Sequence, residues 1–147
     1  MKLLDKDVLF EDNHLLAVYK PEGMVTQTTE GHGISLEDIA KAYVKEKYQK
    51  PGHVYLHACH RLDKPVSGIV LFAKTSKALS RLNEAIRSRE VEKIYYARLS
   101  SPLDDAGILE HKLIHDDHHA RVDAQGKVSR LTYHHIKDDL YEIRLET

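Results

Sequence analysis

The chain has 147 residues, 41% of them hydrophobic, which is enough for one buried core and hardly for two, so a single domain over residues 1–147 is expected. Its one cysteine, Cys59, excludes an internal disulfide and would leave a zinc site to histidines. The formal charge of −1 hides an asymmetry, because residues 41–100 carry 13 lysines and arginines against 5 acidic side chains while both flanks are acidic.

Such a localised basic segment attracts phosphate backbones whatever the net charge, although a solvated helix face would look the same. Lys2, Asp5, Lys6 and Asp7 interrupt the N-terminus before a signal-peptide core could form, and no apolar run reaches membrane-spanning length. A soluble, cytoplasmic, monomeric protein without a membrane partner is expected.

Residues 8–11 and 15–19 predict two short strands around a turn at Asp12-Asn13-His14, the second ended by Lys20-Pro21-Glu22-Gly23. The Gly/Thr-rich stretch 26–33 lacks the glycines and preceding strand of a dinucleotide-binding fingerprint and is a loop. Ser35, with Asp38 three positions on, caps a predicted amphipathic helix through Leu36, Ile39, Ala40, Tyr43 and Val44, which stops near Pro51-Gly52. Lys41, Lys45 and Lys47 fall mostly off its apolar stripe, as solvent-facing or RNA-facing groups.

Residues 54–56 predict a strand entering the charged loop His60-Arg61-Leu62-Asp63-Lys64-Pro65-Val66-Ser67-Gly68, and residues 69–73 a central strand, apolar on both faces, leaving it. Ser76 opens a second helix to about Glu90. Strands are predicted over 92–99, 108–114, 120–122, 129–136 and 140–147, with residues 115–120 a loop and Asp123-Ala124-Gln125-Gly126 a turn joining the third of these strands to the fourth. The class is α+β, with a mixed, mainly antiparallel sheet flanked by helices.

A turn-forming loop that runs straight into a buried strand is a natural mount for a reactive carboxylate, and Asp63 is the candidate. The residues His60-Arg61-Leu62-Asp63, followed by Ser67-Gly68, an apolar strand and Ala73-Lys74-Thr75, resemble the signature of the RluA-type pseudouridine synthases. Residues 8–12 with Val18-Tyr19-Lys20-Pro21-Glu22-Gly23 resemble the family's opening strands and Lys-Pro-x-Gly turn, and Lys93-Ile94-Tyr95-Tyr96-Ala97 its Lys-x-Tyr-x-Ala strand.

The resemblance implies an enzyme that detaches uracil from a uridine in ribosomal or transfer RNA, turns it and rejoins it through C5, with no cofactor and no metal. It assigns Asp63 as the carboxylate that attacks the sugar carbon or removes a sugar proton. It places Tyr95 against the extruded base, where stacking is worth about 1–3 kcal/mol, and sets Arg61 and His60 in the substrate-binding loop. Arg61 is one candidate source of the positive charge that would keep a buried Asp63 ionised. Tyr96, on the opposite side of its strand, is expected in the core.

Two departures from the family pattern stand out. Val66 replaces a frequent threonine, and the family's Gly-Arg-x-His-Gln-Ile-Arg segment, with its active-site arginine, is absent, so the chain is expected to be the N-terminal and central portion of such an enzyme with little activity of its own. A non-catalytic RNA-binding remnant is the alternative. The histidines His111, His115, His118 and His119 with Asp116 and Asp117 have no regular ligand spacing, Cys59 beside His60 lacks an oxyanion motif and is expected to be a small buried residue, and no second carboxylate near Asp63 suggests a hydrolase.

Overall fold

The computed structural model describes residues 1–116 and 119–146. Asp117 and His118, from the predicted histidine-rich loop, and Thr147, at the end of the last predicted strand, lie outside the described residues. The chain divides into two compact units, Met1–Arg87 and Ser88–Thr147. The secondary structure is α+β, with two helices and two antiparallel sheets.

In the first unit, β1 (Val8–Glu11), β2 (Leu15–Lys20), β3 (His57–Ala58) and β4 (Gly68–Ala73) form a sheet of order β1-β2-β4-β3. Asp12 builds the first turn by accepting from the backbone N–H groups of His14 and Leu15, both at 2.7 Å, and these bonds hold its carboxyl below the ordinary range. The register of β2 on β4 runs from Leu15 opposite Ala73 to Lys20 opposite Gly68. Leu16, Val18, Val70 and Phe72 are wholly buried.

Helix α1 (Leu36–Lys47) starts at Ser35, whose hydroxyl accepts from Asp38 N while the Asp38 carboxylate accepts from Ser35 N. It buries Leu36, Ile39, Ala40 and Val44, and the chain leaves it through Gln49 at φ +49°. Helix α2 (Ser76–Arg87) lies against β4. Its capping side chain is Thr75, which accepts from Ala78 N at 3.1 Å, rather than Ser76, and it ends at Arg87 because Arg89 turns left-handed at φ +61°.

The predicted strand at 54–56 is displaced to His57–Ala58. The reason is register: His57 opposes Ala73 and Ala58 opposes Phe72, so residues 54–56 run beyond the end of β4, where α2 begins. The predicted burial of both faces of β4 also fails at Ile69, which is 55% exposed.

The second unit is a sheet of order β5-β9-β8-β6-β7, built from β5 (Lys93–Arg98), β6 (Ala106–His115), β7 (Ala120–Val122), β8 (Lys127–Lys137) and β9 (Leu140–Leu145). The turn at 123–126 leads into β8, but β7 pairs with β6. Gly126 lies so close to Leu113 that a Cβ there would meet its backbone at 2.5 Å. Buried Tyr133 and Tyr141 meet edge to face on one side of the sheet.

Candidate active site

The loop that carries Asp63 is fixed through the residues on either side of it. Leu62 is buried and Asp63 exposed. Thr26, itself buried, donates its hydroxyl to Leu62 O at 3.0 Å and accepts from Leu62 N at 3.1 Å. Downstream, Val66 N donates to Asp63 O at 2.9 Å, closing the turn, and Lys64 O accepts from Gly23 N at 2.7 Å.

Gly23 sits at φ +87°, a conformation that makes glycine the fitting end of the Lys-Pro-Glu-Gly turn. Gly68 has a related reason: at φ +152°, a Cβ on it would also press on Leu62 Cδ1 at 3.2 Å.

Lys20 joins the two loops. Wholly buried at the end of β2, it directs its ammonium to Met24 O at 2.6 Å, Pro21 O at 3.0 Å and Lys64 O at 3.3 Å, which uses all three of its protons. Burial lowers its pKa, and the negative charge of Asp63 opposes that shift. Lys20 and Asp63 thus interact through charge alone, without a hydrogen bond between them. Arg61, considered as a source of positive charge from its place in the sequence, is exposed and forms no ion pair with Asp63. Among the described residues the Asp63 carboxylate accepts no hydrogen bond.

His60 turns toward β4, and its Nε2 accepts from Leu71 N at 3.1 Å, which requires that nitrogen to be unprotonated. Next to it, Cys59 N donates to Leu71 O at 2.9 Å, so the two residues carry the β3–β4 pairing onward into the loop. The Cys59 thiol is half-buried, and burial pushes it up to about 11, keeping it protonated at neutral pH.

Tyr95 belongs to the second unit, half-buried on β5 opposite Ile143 of β9 and in the same row as Tyr133. Tyr96 does point to the other face, but it is 64% exposed rather than in the core. β5 is an edge strand, and among the described residues the second unit has no helix to cover that face.

The lysines of α1 divide in their contacts. Lys41 pairs with Glu37 at 3.3 Å and Lys47 with Glu11 at 2.6 Å, whereas Lys45 is exposed without a carboxylate partner among the described residues, as are Lys64, Lys77 and Arg81. No three His, Cys, Asp or Glu side chains among the described residues converge as a metal-ligand set, and none of the described helices is long and apolar enough to cross a membrane.

Lys20 and Thr26 are the residues that sequence reasoning passed over. Lys20 stands in the Lys-Pro-Glu-Gly turn, which marks a strand end and a family resemblance but gives its side chain no role; Thr26 carries no local signal.

An α+β chain whose Asp63 is presented between two anchored residues on a His-Arg-Leu-Asp loop fits one class of protein, and comparison with known families agrees. Residues 14–147 match the family described as RNA pseudouridylate synthase. The chain belongs to this family, on its RluA-type branch.

It is 33% identical over 136 residues to the ribosomal large subunit pseudouridine synthase C of Pasteurella multocida, covering 88% of this chain and 40% of that protein. To the dual-specificity RNA pseudouridine synthase RluA of Vibrio vulnificus it is 32% identical over 111 residues, 75% of this chain and 42% of the relative. The chain thus spans about two fifths of the length of these curated relatives. Its fold is similar to that of human RNA pseudouridylate synthase domain containing 4, with a TM-score of 0.80 at 22% identity over 97% of this chain and 59% of the other.

Proposed function

We propose that this protein isomerises uridine to pseudouridine in ribosomal or transfer RNA, with Asp63 as the catalytic carboxylate. The observation that carries this reading is the presentation of Asp63: its backbone is anchored on both sides, and the residue itself is exposed with its carboxylate accepting no hydrogen bond among the described residues. The relatives named for ribosomal and transfer RNA support the substrate class.

In the reaction the bond between N1 of uracil and C1′ of ribose breaks, the base turns, and C5 bonds to C1′. N1 gains a proton and C5 loses one to solvent. Asp63 acts by attack on the sugar carbon or by removal of a sugar proton. The base must leave its stack to reach the carboxylate, with Arg61 and His60 in the substrate-binding loop.

The test is tritium release from RNA labelled at C5 of uridine, with the intact gene product that carries these residues. The wild type is expected to release tritium and Asp63→Asn to fall to background. RNA binding that is salt-dependent and equal in both, with no pseudouridine formed by either, would replace this reading with that of an RNA-binding protein.

A further inference from the structure

We propose that Thr26 is a positioning residue for Asp63, its single hydroxyl fixing both polar backbone atoms of Leu62 and so the point from which the carboxylate projects. The proposal rests on the reading of Asp63 given above. Leu62 lies outside any strand, so no ladder partner serves its N–H or C=O; the Thr26 hydroxyl takes both, at 3.1 and 3.0 Å. The Leu62 side chain is buried against Gly68, a third point of attachment.

Thr26 is itself held. Its carbonyl accepts from Glu37 N and that of Val25 from Leu36 N, both at 2.9 Å, so two N–H groups that the first turn of α1 leaves without helical partners tie the segment down. The result is a rigid path from α1 through one hydroxyl to the residue before Asp63.

A hydroxyl is suited to this place because one atom both donates and accepts. Valine has the same shape and can do neither, and serine restores both.

The experiment compares Thr26→Val, Thr26→Ser and Glu11→Gln in the intact protein, by kcat and KM for pseudouridine formation and by the amide resonances of Leu62 and Asp63. Glu11 lies at the other end of the same sheet and serves as a control for general destabilisation. A displacement of about 1 Å at a reacting group is worth about a hundredfold in rate, so Thr26→Val is expected to lower kcat by up to about that factor with KM little changed. Thr26→Ser should recover most of the loss, and Glu11→Gln should keep wild-type kcat where it is folded.

Thr26→Val with wild-type kcat, or with a loss that Glu11→Gln matches, would overturn the proposal. Should the wild type form no pseudouridine, the reading of function fails, and the resonances decide this inference separately. Shifts at Leu62 and Asp63 in the valine but not the serine variant uphold the clamp, and unchanged resonances in both refute it.

Discussion

Glu11 offers a direct test of how the first unit is held together in acid. Its side chain is only 9% exposed and takes hydrogen bonds from Lys47 Nζ at 2.6 Å, Tyr48 Oη at 2.8 Å and Lys74 Nζ. Burial alone would raise its pKa; the bonds from Lys47, Lys74 and Tyr48 outweigh it and bring the carboxyl from 4.5 down to about 2. An acid depressed by folding contributes stability above its ordinary pKa and loses it as pH falls toward the folded value. At about 1.4 kcal/mol per pH unit the contribution is about 3 kcal/mol above pH 5, and nearer 2 kcal/mol in salt, since Lys47 is half in water. Urea unfolding of wild type and Glu11→Gln between pH 7 and pH 2, followed by hydrogen exchange of β2 and β4 amides, measures it. The two proteins should differ by about 2–3 kcal/mol at neutral pH and converge as pH approaches 2. A gap that stays constant with pH would refute the assignment of this stability to the ionised Glu11.

Lys20→Met keeps the buried stem but leaves the Pro21, Met24 and Lys64 carbonyls without their donor, so urea unfolding should show a loss of about 3 kcal/mol or more, with faster exchange at the Gly23 amide. In the second unit, Tyr133→Ala should lower stability by about 3–4 kcal/mol, whereas Tyr96→Ala, at a side chain 64% exposed, should cost less than about 1 kcal/mol; exchange of β8 amides compares them.

The parts legible in the sequence were those set by neighbours along the chain. The capping pair Ser35 and Asp38, the Asp12 turn and the loop with its following strand all depend on contacts within a few residues. What escaped depends on distant partners. The position of β3 follows from where β4 stops, which no pattern at 54–56 reveals. Alternation correctly put Tyr95 and Tyr96 on opposite faces of β5, but which face is covered is decided by the rest of the unit, and the expectation for Tyr96 was reversed. Thr26 meets Leu62 across 36 positions, and Lys20 meets Lys64 across 44, separations at which spacing carries no information.

Two carboxylates of the first unit show how a fold distinguishes an acid locked into the architecture from one left open to solvent. Glu11 is nearly buried and both its oxygens are engaged, which stabilises the unit and leaves it little capacity to bind anything else. Asp63 is exposed, and among the described residues its oxygens accept no hydrogen bond; the attachments belong to the backbone of Leu62, Asp63 and Lys64. An ion pair with Arg61 would have held the carboxylate by the atoms that the proposed reaction uses. Anchoring the neighbours instead restricts where the residue lies while leaving its lone pairs without protein partners among the described residues, and the three protons of Lys20 are likewise directed to carbonyls rather than to Asp63. Such an arrangement ties the position of Asp63 to Thr26 and Lys20, which is why the variants at those two residues test the proposed site alongside a change in Asp63 itself.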